Sequence, residues 1–172
     1  LFNFDFHYTL IESLNSGDGQ LLLQKQKEVL SFYQGITSNF IDATFSSNHD
    51  QPRLLNDLKE DPAKYKQASA ILLTMPGAPY LYYGEEIGMK GKKPDENIRE
   101  AFIWNKRLED NDRTNWRKPV YNTDSKTTPL KFQIEDENSL FNHYKKMISL
   151  RKTVPALAQI SPPNLQKSGI VN

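Results

Sequence analysis

The apolar positions change period along the chain, and each change marks an element. Leu1-Phe2-Asn3-Phe4-Asp5-Phe6 has strand-like alternation, and the cluster Asn15-Ser16-Gly17-Asp18-Gly19 soon after it is a loop signal. From Gln20 to Tyr33 the spacing becomes helical. Leu21, Leu22, Val29, Phe32 and Tyr33 can share one broad face, which leaves Gln24-Lys25-Gln26-Lys27-Glu28 as the solvated side. The run Phe40-Ile41-Asp42-Ala43-Thr44-Phe45 reads as a buried strand. Asp61-Pro62 supplies an N-cap acceptor and a proline at the first helical position, so a helix is expected to about Met75, where Pro76-Gly77 stops it. Tyr80 to Tyr83 completes the series as a third strand.

Strands alternating with helices of about four turns argue for right-handed βαβ crossovers and a parallel sheet. Three such strands alone would leave an apolar edge bare. From Gly84 to about Asn138 the chain is rich in Asp, Glu, Lys, Asn and Pro and reads as one long loop. Connections of that length are usually functional or disordered, and its place after a strand favours a functional rim. A last helix is expected over about Ser139 to Lys152, with Leu140, Phe141, Tyr144, Met147, Ile148 and Leu150 as a core-facing stripe. Beyond Pro155 the tail through Ser161-Pro162-Pro163 to Asn172 has little capacity for structure, and no internal repeat is present.

Size and charge narrow the classes. The chain has 172 residues, the size of one ordinary domain. It falls short of the ~250 residues typical of a complete eight-stranded α/β barrel. Its 22 basic and 21 acidic residues are interspersed and leave a net charge of +1, so nothing suggests a nucleic-acid groove or an anionic membrane surface. A neutral polymer is a compatible partner. No apolar stretch approaches the ~20 residues that span a bilayer. The N-terminus shows no basic region followed by an apolar signal segment, so a signal for export of the intact protein is expected upstream of Leu1, which leaves a secreted or periplasmic location open. The absence of cysteine removes disulfides and thiolate metal sites without fixing a compartment.

The segment Phe45-Ser46-Ser47-Asn48-His49-Asp50-Gln51-Pro52-Arg53 places an amide, an imidazole and a carboxylate side by side where an apolar strand stops. In parallel α/β folds chemistry sits at that end of the strands. The pattern Phe-x-x-Asn-His-Asp-x-x-Arg resembles the region after the seventh barrel strand in the α-amylase family of glycoside hydrolases. Further matches are collinear. Ala70 through Pro76-Gly77-Ala78-Pro79-Tyr80-Leu81-Tyr82-Tyr83-Gly84-Glu85-Glu86-Ile87-Gly88-Met89 resembles the family's passage from helix to eighth strand. Pro94-Asp95-Glu96-Asn97-Ile98-Arg99-Glu100-Ala101-Phe102-Ile103-Trp104 is similar to the loop that follows, and Ser139 to Arg151 to the barrel's closing helix.

The resemblance spans roughly Phe4 to Leu157 and implies a partial TIM (β/α)8 barrel: about strands six to eight with their helices, and a long loop after the last strand. Residues 1–157 would be the C-terminal portion of the catalytic domain, and 158–172 a tail or linker towards a β domain. Retaining glycosidases place a nucleophile and a general acid/base about 5–5.5 Å apart around the scissile bond. In this family those two carboxyl groups follow the fourth and fifth strands, and a third carboxylate, after the seventh, binds sugar hydroxyls and supports the transition state. Asp50 matches that third group. Its negative charge would favour an oxocarbenium-like centre and raise the pKa of a neighbouring acid. His49 matches a histidine that donates a hydrogen bond to the same sugar. Asn48 would shape the loop or contact substrate, and Arg53 would anchor the carboxylate network through a charge-assisted pair or contact substrate. No Arg-x-Asp triplet, the expected setting of the nucleophile, occurs.

Other candidates are weaker. Glu85 and Glu86 are neighbours on an extended chain and point apart, so one is expected beneath the site in a hydrogen-bonding role and the other at the rim. His7, His49 and His143 are far apart and lack second ligands, so no metal site is assigned, and no cofactor is evident. Calcium stays open for the intact enzyme, because the family's usual site draws on earlier parts of the barrel. Tyr82, Tyr83, Trp104 and Trp116 could stack on sugars, with Trp104 expected packed and Trp116 exposed. The resemblance thus implies retaining hydrolysis of α-1,4-glucans or maltooligosaccharides, with the missing N-terminal part of the barrel as a partner and the isolated chain inactive. An α-glucosidase, an oligo-1,6-glucosidase or a sugar isomerase of the same superfamily is the near alternative. The different class is a non-catalytic glucan- or partner-binding barrel, like the amylase-like ectodomains associated with amino-acid transporters.

Overall fold

A computed structural model describes residues 2–37 and 39–158. Strand β1 (Phe2–Asn3) pairs in parallel with β2 (Ala43–Thr44), in the register Phe2 to Ala43 and Asn3 to Thr44. Phe45 then bridges Tyr80, again in parallel. Three successive segments therefore lie side by side and run the same way, as the alternation of elements implied.

The strands are shorter than the apolar runs, and the first gives way to a helix the sequence reading missed. Residues 2–6 are not one strand. Helix α1 (Phe4–Ser16) starts because the Asn3 side chain accepts a hydrogen bond from the Phe6 backbone N–H at 2.8 Å, while its amide donates to Asp42 at 2.9 Å. Phe6, His7, Leu10 and Ser13 form its buried stripe, at helical spacing. The stripe was present in the sequence, hidden by the alternation just before it. Gly17, at φ +80°, ends the helix in a left-handed conformation, and its N–H reaches the Ser13 carbonyl.

Helix α2 (Gly19–Ile36) is capped by Asp18 and is longer than expected. Its core face is Leu22, Gln26 and Val29, so the helix is rotated relative to the expected face: Gln26 is 5% exposed whereas Phe32 is 64% exposed. A polar residue at the centre of an apolar stripe misled the reading. Short helix α3 (Leu54–Asp57) follows β2. Helix α4 (Pro62–Thr74) starts as its sequence required, with the Asp61 carboxylate accepting from the Ala63 and Lys64 backbone N–H groups. Helix α7 (Leu140–Thr153) is capped by Ser139 and packs on α4. Only Tyr144 of its expected stripe is fully buried; Leu150 is exposed. The main core joins Phe6 and Leu10 of α1, Leu54 of α3, Tyr65 and Leu72 of α4 and Tyr144 of α7. Each such burial contributes about 1.5–3 kcal/mol.

The stretch from Gly84 to Asn138 is not one open loop. It contains 3₁₀ turns at Glu85–Ile87 and Arg107–Glu109, helix α5 (Asp95–Ile98) and helix α6 (Leu130–Glu135). A small core of Ile87, Met89 and Ile103 supports it. Buried polar side chains do the rest. The Glu100 carboxylate accepts from the Tyr121 and Asn122 backbone N–H groups, and the Asn122 amide bonds both the N–H and the carbonyl of Lys90 at 2.7 Å. Such connectors have no periodicity, so their polarity read as loop. The expected tail falls almost wholly on residues 159–172, outside the described residues.

Candidate active site

At the end of β2 the chain runs from buried Phe45, Ser46 and Ser47 out to the half-buried Asn48 and the exposed His49 and Asp50. Asn48 folds this exit into a turn: its side-chain oxygen accepts from the Asp50 backbone N–H at 2.8 Å. Asp50 is held between two partners. Its Oδ2 lies 3.3 Å from His49 Nε2, and its Oδ1 accepts from Arg99 Nη2 at 2.9 Å. Arg99 also donates to the His49 carbonyl at 3.0 Å and to Asp95, four residues earlier on α5, at 2.8 Å. The guanidinium thus fixes main chain and side chain of the turn together.

Arg53 closes the same loop from below, in a different way from that expected. It is 0% exposed, so it offers no surface to a substrate. Its guanidinium donates to the backbone carbonyls of Ile98, at 2.8 Å, and Tyr83, and lies 4.2 and 4.6 Å from the ring centres of Tyr82 and Tyr83. Among the described residues no carboxylate pairs with it, so the expected charge-assisted pair is made by Arg99 instead. Arg53 is a packing residue whose charge is met by carbonyls and aromatic faces. In the sequence Arg99 stands out only as part of a loop motif. Its partner Asp50 is 49 residues away, and pattern reading has no access to that distance.

Below the turn, Glu85 is buried at 1% exposure, and its Oε1 accepts from the Ser46 hydroxyl at 2.9 Å and the Ser47 hydroxyl at 2.6 Å. Burial pushes its carboxyl up to about 7, against the two serine hydrogen bonds and nearby Arg53, which favour the anion. Glu86 is half-buried, raised by burial, and faces a groove with Tyr82, Tyr83 and Phe141. His7 lies buried under the strand end, stacked on Phe45 with ring centres 5.5 Å apart and hydrogen-bonded through Nδ1 to the Ser46 carbonyl at 2.7 Å. Burial lowers its pKa.

The turn borders a cleft of about 270 Å³, walled by Phe2, Phe4, Phe45, Tyr80, Leu81 and Tyr82. Asn48, His49 and Asp50 border the same cleft, so the carboxylate and the imidazole stand at the edge of an apolar strand surface. Trp104 is not packed away as expected: it is 45% exposed, though its ring leans on Phe102 at 4.4 Å, and Trp116 is 55% exposed. Among the described residues no three His, Cys, Asp or Glu side chains gather to hold a metal ion. None of the described helices is long and apolar enough to cross a membrane.

Parallel strand segments with returning helices, and a polar turn at their C-terminal ends, define an α/β fold of parallel βα units. The family model described as alpha amylase, catalytic domain, matches residues 1–159, and the chain belongs to that family. It is 43% identical to alpha-amylase 3 of Dictyoglomus thermophilum over 70% of this chain and 24% of the relative. Identity to the alpha-amylase SusG of Bacteroides thetaiotaomicron is 37% over the whole chain and 24% of that protein. The crystal structure of the α-amylase from H. orenii superposes with a TM-score of 0.84 at 38% identity, covering 90% of this chain and 31% of that one. The fold is accordingly part of a TIM barrel, and the chain spans about a quarter of the length of these curated relatives.

Proposed function

We propose that this segment forms one side of the active site of a retaining α-glucan hydrolase, acting on α-1,4 bonds of starch or maltooligosaccharides. The observation that supports it best is the Asp50 carboxylate, presented at a strand end between His49 and Arg99. In this reading Asp50 accepts hydrogen bonds from hydroxyls of the distorted sugar ring next to the scissile bond. The ring gains positive charge in the transition state, so a fixed anion stabilises that state more than the bound substrate. His49 donates to the same sugar, while Asn48 sets the turn. Nucleophile and acid come from other βα units, and those units and the glucan are the segment's partners.

The test uses the complete polypeptide that carries this segment, with reducing-sugar release from soluble starch as readout. Asp50→Asn keeps shape and removes charge; it should lower kcat on the order of 10²–10³-fold with little change in KM. Hydrolysis that is indifferent to Asp50→Asn would remove Asp50 from the chemistry. Tight maltoheptaose binding without any hydrolysis by the unaltered protein would favour the non-catalytic module instead.

A further inference from the structure

We infer that Glu85 is a positioning residue for Asp50: its buried carboxylate holds the Ser46 and Ser47 hydroxyls and so sets the direction in which the Asn48–Asp50 turn leaves the sheet. This rests on the role proposed for Asp50 above. Glu85 itself does not border the cleft, whereas Ser47, one of its two donors, does.

Three observations support the assignment. First, the contact is long-range and convergent. One oxygen of Glu85 receives two hydroxyls from consecutive residues, 39 and 38 positions earlier in the chain. Consecutive residues of a strand point to opposite faces, so two hydroxyls converging on one oxygen require the backbone to turn there. Ser46 is also held from the other side, by His7 at its carbonyl. From Ser47 the chain passes at once into the Asn48 turn that presents Asp50.

Second, the carboxylate sits on a rigid mount. Gly84, at φ +83°, makes the reversal that turns Glu85 inward, and a Cβ there would fall 2.3 Å from the Met89 sulfur. The Glu85 N–H donates to the Tyr82 carbonyl at 3.1 Å, and its own carbonyl accepts from the Gly88 N–H at 3.0 Å and the Tyr65 hydroxyl at 2.8 Å. Position therefore passes from α4 through Tyr65 to Glu85, and from Glu85 to the strand end.

Third, an apolar side chain would fill this place without the cost of burying a carboxyl group. The charged and titratable groups coupled to it are Arg53, Tyr65 and Tyr144, and burial outweighs the help it receives from Arg53 and the serines. A costly group retained under a reactive loop, with its oxygen spent on that loop, fits orientation better than packing.

The test compares Ser47→Ala, Glu85→Gln, Glu85→Ala and the combination Glu85→Ala/Ser47→Ala in the complete enzyme. A chromogenic maltoheptaoside is the substrate, with thermal unfolding measured alongside. Glu85→Ala should lower kcat per folded molecule ~10–100-fold, with KM within ~3-fold, because a misplacement of order 1 Å costs turnover more than binding. Glu85→Gln keeps an acceptor oxygen and should recover most of that loss. Ser47→Ala should reduce kcat less than Glu85→Ala, and adding it to Glu85→Ala should change little, since both remove one interaction. Unchanged kcat in Ser47→Ala, or fully additive losses, would overturn the inference, and Ser47→Ala decides it if Glu85→Ala does not fold. An unaltered enzyme that hydrolyses nothing would instead sink the function proposed above. Activity lost in Asp50→Asn but untouched in the Glu85 series would sink only this inference.

Discussion

Asp50 and Arg99 make a pair whose value lies in geometry. Both side chains are well exposed, so water screens their attraction and the pair contributes on the order of 0.2–1 kcal/mol to stability. Arg99 also holds the His49 carbonyl, however, and removing it frees the turn. Arg99→Ala is therefore expected to lower kcat/KM on maltooligosaccharides by ~5-fold while barely moving the melting temperature. A fall in melting temperature at constant kcat/KM would argue for a merely structural pair. Glu85 predicts the opposite balance, in a pH-dependent form. Its folded-state pKa rises from 4.5 to about 7, so between those values the native state keeps a proton that the unfolded chain has released. Stability is therefore full below pH 4.5 and is lost as pH rises through about 7, by about 3 kcal/mol at most. Asp42, Asp57 and Glu86, also raised by burial, slope the same way. His7, lowered by burial, slopes the other way and costs stability as pH falls below 6.5. Subtracting the Glu85→Gln curve from the unaltered one isolates Glu85, and the difference in melting temperature should decline between pH 4.5 and about pH 7. A flat difference would mean that Glu85 is ionised throughout. Neither role follows from local pattern alone: the strand end exposed Asn48, His49 and Asp50 to sequence reading, while the contacts of Arg99 and Glu85 join residues some 40 to 50 positions apart.

At the level of elements, helix α4 links sequence to site most directly. Asp61 caps it, Pro62 sets its first turn, and Tyr65, on its buried face, donates to the Glu85 carbonyl beneath the reactive turn. Asp61→Ala should cost about 1 kcal/mol, a loss of ~2–4 °C in melting temperature for a domain of this size. Because the cap lies far from the cleft, kcat should stay within ~2-fold in molecules that remain folded; a large fall in kcat would mean that the helix start controls the site directly. This helix was legible because its signals are local: an acceptor, a proline, an apolar face and a Pro76-Gly77 stop. The same holds for α7, expected over about Ser139 to Lys152 and found over Leu140–Thr153 with Ser139 as its cap. Elements whose definition depends on distant partners were read less well. Strand β1 was extended to Phe6 because Asn3 looks like one more alternating polar residue, although its partner Asp42 makes it a cap. The third strand reduces to the Tyr80 bridge, and the stretch after Gly84 acquires helices through Glu100 and Asn122, which pair across the fold. Parallel order was recoverable, since strand, helix and strand permit few topologies.

For the whole molecule, the decisive fact is where apolar surface remains uncovered. Parallel sheets in α/β proteins are normally covered on both faces. Here Phe2, Phe4, Tyr80 and Leu81 stay exposed on one side of the strands, with Phe2 packed edge-on against Tyr80 at 4.8 Å and Phe4 against Phe45 at 5.0 Å. A second apolar groove, lined by Tyr82, Tyr83, Phe141 and Ile148, opens beside the last strand segment. Under the barrel reading both surfaces meet the other βα units, which also bring the nucleophile and the acid. Two outcomes follow for the 172-residue chain produced alone. It should release no reducing sugar from starch, and it should sediment as oligomers or aggregate at micromolar concentration, because open strand edges and aromatic patches pair with copies of themselves. Supplying the preceding part of the barrel in trans should convert it to a one-to-one complex and restore starch hydrolysis that Asp50→Asn abolishes. A compact, stable monomer that ignores the added half would show that these surfaces need no cover. Starch hydrolysis by the chain alone would place the missing carboxylates within it, with the half-buried Glu86 beside Tyr82 and Tyr83 the first to replace by glutamine.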